Sequence, residues 1–86
     1  MSEPLLRFPT DYPVKVVGRA SDTLRAQIDA IILKHAPDLD ASRTSERLSA
    51  NGNFLSISYL IRAVSADQVK ALAAELTACE SVLIVL

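Results

Sequence analysis

The sequence predicts an α+β fold of the ferredoxin-like type, a sandwich in which a four-stranded antiparallel sheet carries two helices on one face. Segments with strand and helix periodicity follow one another in the order β-α-β-β-α-β over 86 residues, a length that suits one small domain. Asn51-Gly52 separates the two middle strands and is typical of a tight hairpin. Right-handed crossovers of the two β-α-β halves then give the strand order 4-1-3-2.

The chain begins with a predicted extended arm over residues 1–11, and a single domain follows over residues 12–86. The prolines of the arm disfavour helix. The first strand is expected over residues 12–19, because apolar and polar residues alternate there. Gly18 near its end permits a tight exit or the close approach of another backbone segment.

The first helix is expected to begin at Ser21, whose hydroxyl can accept a hydrogen bond from a free N–H of the first turn. Its stripe at i, i+4 and i+7 spacing is formed by Leu24, Ile28, Ile31, Ile32 and His35. Pro37 ends the helix, because proline cannot continue the hydrogen-bond ladder. Three charged residues are expected on the opposite side, in solvent: Asp22, Arg25 and Asp29.

The second and third strands are expected at residues 43–50 and 54–63, joined by a two-residue type I′ turn. Such a turn sets the register of four cross-strand pairs: Ala50 with Asn53, Arg47 with Ser56, Ser45 with Ser58, and Arg43 with Leu60. The same register turns Glu46 toward the helices. An inward charge on an edge strand discourages aggregation, and a bulge or another register is the alternative.

The second helix is expected to begin at Ser65 and to end near Ala78, and the last strand to occupy residues 81–86. That strand is almost entirely apolar and lies at an edge of the sheet, where it could pair with another chain. Either the apolar residues 5–8 of the arm or a second subunit, as in a homodimer, covers it, and we expect the arm. The predicted core comprises Val14, Val16, Leu24, Ile28, Ile31, Leu55, Ile57, Ile61, Val69, Leu72 and Leu76.

Composition excludes several functions that this fold can carry. Half the residues are hydrophobic and the net charge is −1, which argues against a strongly basic nucleic-acid-binding protein. The single cysteine, Cys79, excludes an intramolecular disulfide, an iron–sulfur cluster and a heavy-metal carrier with paired thiolates. We expect no metal and no cofactor. The lone thiol and the absence of a signal peptide or membrane span predict a cytoplasmic protein.

Short motifs spaced along the chain resemble those of the YbeD-like family of small bacterial proteins: Leu5-Leu6-x-Phe8-Pro9-Thr10, Lys15-Val16-x-Gly18, His35-Ala36-Pro37, Gly52-Asn53-Phe54-x-Ser56 and Val85-Leu86. The resemblance implies a ferredoxin-like fold similar to ACT-type regulatory domains, which bind small effectors, often at subunit interfaces. It also implies a loose association with lipoyl metabolism, because genes of the family often lie near those for lipoate attachment. It transfers no catalytic or binding residue.

The residues themselves indicate one candidate binding surface, the sheet face turned away from the helices. Cationic side chains there surround a small apolar patch, an arrangement that suits an acidic protein partner or a small anionic effector. An ordinary solvated sheet face is the alternative. The candidate binding residues are Lys15, Val17, Arg19, Arg43, Arg47, Phe54, Leu60 and Arg62.

A binding or regulatory role without catalysis is therefore expected, and two other classes remain as alternatives. Arg19 and Asn53 are the residue types that an acylphosphatase-like hydrolase uses, although its glycine-rich phosphate cradle is missing. A nucleic-acid adaptor is the other, with Phe54 as its one aromatic residue on the open face. His35 is interpreted as structural, because the nearby carboxylates, Asp38 and Asp40, follow Pro37 and are expected in a turn.

Overall fold

The computed structural model describes residues 7–86, so the predicted contact of residues 5–8 with the last strand falls largely outside the described residues. Strands and helices follow the predicted order. They are β1 (Thr10–Arg19), α1 (Leu24–His35), a single 3-10 turn (Ala41–Arg43), β2 (Ser45–Leu48), β3 (Phe54–Ala63), α2 (Ala66–Ala78) and β4 (Val82–Val85).

The four strands form one antiparallel sheet in the order β2-β3-β1-β4. This is the predicted order 4-1-3-2. β1 and β3 pair along their whole length, from Thr10 opposite Ala63 to Arg19 opposite Phe54. The central pair is therefore a long, continuous platform with short strands on either side.

Alternation along the strands separates the two faces of the sheet. In β3 every second residue from Leu55 to Ala63 is buried, because these side chains point toward the helices. α1 contributes Leu24, Ile28 and Ile32, and α2 contributes Leu72 and Leu76. The core between sheet and helices is thus built from every second residue of β3 and from helix residues spaced four apart.

Two predicted core residues, Ile31 and Val69, are only half-buried. The stripe of α1 continues from Ile28 to Ile32, four residues on, so Ile31 lies at its flank. Tyr59 is buried in the core as well, at 2% exposure.

Both predicted helix starts rest on a serine hydroxyl. The Ser21 hydroxyl accepts a hydrogen bond from the Leu24 N–H at 3.1 Å, and the Ser65 hydroxyl accepts one from the Gln68 N–H at 3.1 Å. Each satisfies one N–H of the first turn that has no partner within the helix. Ser65 is therefore the N-cap of α2 as predicted, whereas α1 begins three residues after Ser21, with Thr23 at its N-cap position.

The hairpin differs from the predicted two-residue turn. The strands end at Leu48 and resume at Phe54, and the Ser49 carbonyl accepts a hydrogen bond from the Gly52 N–H at 2.9 Å. Among residues 7–86 only Gly52 has a positive φ, at 78°, whereas a type I′ turn needs two such residues. A longer loop around one β-turn replaces it, and the pairs of Ser45 with Ser58 and of Arg47 with Ser56 are kept.

Other boundaries shift by a few residues. β1 begins at Thr10, inside the predicted arm, because Thr10 and Asp11 extend the pairing with β3. β2 begins only at Ser45, so Arg43 lies in the 3-10 turn and the predicted pair of Arg43 with Leu60 does not form. Among residues 7–86 no helix is long and apolar enough to cross a bilayer.

Gly18 lies where the segment between α2 and β4 passes close to β1. A Cβ atom at this position would lie 2.6 Å from the Ser81 carbonyl oxygen and 3.1 Å from a methyl group of Leu24. The register of β1 with β4 shifts at the same place, between Val17 and Gly18. The predicted close backbone approach is confirmed.

Candidate functional site on the open sheet face

The face of the sheet opposite the helices, here called the open face, carries the predicted binding residues on adjacent strands. In one row Lys15 of β1 stands beside Ser58 of β3, which pairs with Ser45 of β2. In the next row Val17 stands beside Ser56, which pairs with Arg47. These rows lie two residues apart along the strands, about 7 Å, so both cations reach the same small area.

A shallow apolar depression lies at the hairpin end of the open face. Its volume is about 360 Å³, and we call it the hairpin groove. Phe54 is 40% exposed there. Arg47 supplies its positive charge. The lining residues are Val17, Arg47, Leu48, Ser49, Ala50, Phe54 and Ser56.

A second, polar depression of about 180 Å³ adjoins the hairpin groove, and we call it the serine pocket. It is lined by Lys15, Ser45, Glu46, Arg47, Ser56 and Ser58. Within residues 7–86 none of its three serine hydroxyls forms a hydrogen bond with a protein group, whereas the hydroxyls of Ser49 and Ser65 do. Two cations and three available hydroxyls therefore face solvent together.

Asp11 divides the predicted cationic surface into two parts. Its carboxylate forms ion pairs with Arg43 at 3.2 Å and with Arg62 at 3.7 Å. Those two guanidinium groups are engaged within the chain. In the described part of the chain, Lys15, Arg19 and Arg47 have no carboxylate at ion-pair distance.

The eight predicted residues consequently do not form one ring. Lys15, Val17, Arg47 and Phe54 lie around the two depressions, and Arg19 stands beside Phe54 in the register. The other three lie toward the opposite end of the sheet, around Asp11 or next to Pro13: Arg43, Leu60 and Arg62.

The last strand adds apolar surface that the sequence analysis did not assign to this face. Ile84 pairs with Val17, and Leu86 exchanges backbone hydrogen bonds with Lys15, so both share the open face. They are 49% and 71% exposed. The signal was present in the sequence, because a strand without alternation must place apolar residues on both faces.

Glu46 faces the helix side, as the predicted register requires, and its partner explains why. Arg25 of α1 forms an ion pair with Glu46 and donates to Asp29 at 2.9 Å. Asp29 also accepts a hydrogen bond from the hydroxyl of Tyr59. Burial raises the pKa of the Tyr59 hydroxyl well above its usual range, and the hydrogen bond to Asp29 adds to this shift. Arg25 and Asp29 therefore link α1 to the sheet. The expectation that both lie simply in solvent is wrong.

His35 contacts a carboxylate that is distant in the sequence. Its Nε2 lies 2.8 Å from Glu75 Oε1, and Lys34 donates to the same carboxylate at 3.0 Å. The hydrogen bond from His35, followed by that from Lys34, lowers the pKa of Glu75. Gln68 donates to the His35 carbonyl at 2.8 Å. This group, which we call the helix clasp, joins the end of α1 to α2.

The hydrolase alternative requires free N–H groups after β1 to cradle a phosphate. Arg19 and Asn53 do lie at the same end of the sheet, but the Ala20 N–H donates to the Asn53 carbonyl at 2.9 Å. The Arg19 N–H donates to the Ser81 carbonyl at 3.0 Å, and the Leu24 N–H is capped by Ser21. Three of the N–H groups around this connection are thus engaged within the chain.

In residues 7–86 no three His, Cys, Asp or Glu side chains cluster as metal ligands would. Cys79 is a free, half-buried thiol packed against the core. Its surroundings match those of a small apolar residue.

Comparison with known proteins gives the fold and the family. An ACT domain from the GTP pyrophosphokinase of Chlorobium tepidum superposes with a TM-score of 0.66 at 21% identity, covering 90% of this chain and 97% of that one. The C-terminal domain of the MgtC protein from Mycobacterium tuberculosis superposes with a TM-score of 0.58 at 18% identity, covering 95% and 89%. At such identities the likeness shows a shared fold.

Residues 3–86 match the family described as "Protein of unknown function (DUF493)". A UPF0250 protein of Ectopseudomonas mendocina is 44% identical over 84 residues, covering 96% of this chain and 91% of the relative. One from Azotobacter vinelandii is 40% identical with the same coverage. With nearly its whole length matched, the chain belongs to the DUF493 family of UPF0250 proteins, the YbeD-like family that its motifs resemble.

Proposed function

We propose that this protein is a small regulatory binding domain without catalysis of its own, which recognises an anionic partner on its open face. One observation carries the proposal: Lys15 and Arg47 have no carboxylate partner in the described chain, and they line a polar depression that adjoins an apolar one on the open face. Unpaired cations beside apolar surface suit carboxylate or phosphate groups.

The missing glycine-rich cradle after β1 favours binding over hydrolysis, as do the N–H groups of Arg19, Ala20 and Leu24, which are engaged within the chain. Among the described open-face residues Phe54 is the one aromatic side chain, which is little for stacking successive bases. The shared fold with ACT domains is compatible with an effector-binding role. The proposal places the protein in the cytoplasm, where the Cys79 thiol would stay reduced.

The test is amide chemical-shift mapping of the whole chain with two anionic probes, hexanoate and a hexaglutamate peptide. We expect saturable shifts on β1, β2 and β3 from at least one probe. Arg47→Glu should abolish them, whereas Lys70→Glu, the same charge change on the exposed side of α2, should leave them unchanged. Shifts confined to the helices, or equal effects of the two substitutions, would refute the proposal.

A further inference from the structure

We infer that the open face takes a small amphipathic anion, with its charged head in the serine pocket and its apolar body in the hairpin groove. The inference rests on the proposed function and specifies the ligand class. Its first support is continuity: the two depressions share Arg47 and Ser56. A single molecule that contacts both residues therefore spans a polar and an apolar compartment.

The serine pocket suits a negatively charged head. Lys15 and Arg47 supply the cations, and Ser45, Ser56 and Ser58 supply hydroxyl donors with no protein partner in residues 7–86. Arginine and hydroxyl groups bind carboxylate or phosphate oxygens directionally.

The two cations of the serine pocket restrict the kind of head group. Lys15 and Arg47 lie close together on the open face and repel an ammonium group placed beside them. Glu46 turns its carboxylate to Arg25 on the helix side and offers no partner for such a group on the open face. The site therefore favours a simple anion over a zwitterionic amino acid.

The hairpin groove sets the nature of the body. Val17, Ala50 and Phe54 give it an apolar lining. Its volume of about 360 Å³ exceeds the roughly 150 Å³ of an apolar cavity that holds one benzene molecule. A short alkyl chain or one aromatic ring fits such a space.

Charge distribution favours a small ligand over an extended acidic protein segment. Arg43 and Arg62, at the far end of the face, are already paired with Asp11. The unpaired cations are confined to the hairpin end, next to the groove. An acidic strip along the sheet would have to compete with Asp11 for Arg43 and Arg62 two rows beyond Lys15, which weakens its contacts there.

The experiment measures dissociation constants by amide shifts for a matched series: hexanoate, acetate, hexanol, hexylammonium and 6-aminohexanoate. We expect hexanoate to bind at least about tenfold more tightly than each of the others, because it alone combines the single negative head with an apolar body. Its shifts should include Lys15, Arg47, Ser56 and Ser58.

A matched pair of variants locates the head. Arg47→Gln should raise the dissociation constant of hexanoate at least about tenfold. Arg62→Gln makes the same change at a paired arginine on the same face and should alter that constant less than about twofold. Both side chains are exposed, and dispersed amide spectra would verify folding. Phe54→Ala should weaken the binding of hexanoate but leave the binding of acetate unchanged.

The outcomes separate this inference from the proposed function. If hexaglutamate shifts the open face and hexanoate does not, the open face binds anions but the amphipathic ligand is wrong. Equal binding of acetate and hexanoate, or equal effects of Arg47→Gln and Arg62→Gln, would also overturn the inference. If no anionic probe shifts the open face, both proposals fail.

Discussion

The hydroxyl of Tyr59 donates a hydrogen bond to Asp29 Oδ1 at 2.5 Å, which joins the centre of β3 to the middle of α1. Tyr59 is otherwise buried among apolar side chains. Asp29 is held in place from its other side by Arg25, which also reaches Glu46 on β2. One polar link thus fixes the position of α1 on the sheet, at the boundary between core and solvent.

Replacing Tyr59 with phenylalanine should lower the free energy of unfolding by about 1–2 kcal/mol, because it removes a hydrogen bond to a charged acceptor and leaves the ring in place. Urea unfolding measures the change. Tyr12→Phe is the control, with an expected effect within about 0.5 kcal/mol, since Tyr12 forms no side-chain hydrogen bond within residues 7–86. Equal effects of the two substitutions would contradict the role of the Tyr59–Asp29 bond.

The helix clasp predicts a pH dependence in the acid range. The pKa of Glu75 is lowered below its ordinary value of 4.5 by hydrogen bonds from His35 and Lys34, so around that pH the unfolded chain binds more protons at this group than the folded chain. The contribution of Glu75 is therefore present above about pH 4.5 and is lost as pH falls through the folded pKa.

Glu75→Gln should flatten this acid limb of a stability-against-pH curve measured by urea unfolding. Glu80→Gln removes the same charge outside the helix clasp and should leave the limb as it is. If both substitutions flatten the curve equally, general charge and not the helix clasp sets the slope.

Gly18→Ala should destabilise the fold by about 1–3 kcal/mol, because the added methyl group meets the Ser81 carbonyl at 2.6 Å and backbone must move. Gly52→Asn provides the contrast. Gly52 needs a positive φ but has open space around it, and asparagine tolerates that conformation, so we expect a smaller loss. Thermal or urea unfolding gives both values. A Gly18→Ala variant as stable as the parent would show that β4 and β1 are not so closely apposed.

Truncating Ile57 to alanine should cost about 2–5 kcal/mol, the range for a fully buried aliphatic side chain. Its exposure is 0%. Leu33→Ala, at a residue 46% exposed, should stay within about 0.5 kcal/mol. A loss below about 0.6 kcal/mol for Ile57→Ala would contradict its place in the core.

Removing residues 1–8 should promote self-association, visible as increased light scattering, if the arm shields β4 as the sequence predicts. Leu83 and Ile84 of this edge strand are 45% and 49% exposed in the described chain. Leu83→Lys in the shortened chain should reverse the effect, because a charge on an edge strand opposes pairing. A tight dimer of the intact chain through β4 would contradict this prediction.

Long, regular patterns were predictable from the sequence. The bounds of β3 agree with the predicted 54–63 because alternation over ten residues is unambiguous. The hairpin register is also as predicted, although the loop is not. Asn51-Gly52 is compatible with more than one loop, and the pairing of Ser45 with Ser58 is the same in both.

Contacts between residues distant in the chain were not predictable in the same way. The ion pairs of Asp11 with Arg43 and Arg62 depend on the β1–β3 register and on the 3-10 turn. Local sequence patterns predict neither of these two features. The contact of His35 with Glu75 depends on how the two helices pack. The candidate site was therefore predicted as a face of the sheet, while its division by Asp11 required the structure.

The position of Asp11 also has a kinetic consequence. By offsetting one of the two positive charges at its end of the open face, it leaves more of the positive potential at the hairpin end, in a chain whose net charge is −1. A dissolved anion diffusing toward the molecule meets a directional field, which raises the encounter rate at low ionic strength and orients the approach. Asp11→Asn would release two guanidinium groups and spread that field along the sheet. Anions would then encounter the open face faster, but with less preference for its hairpin end.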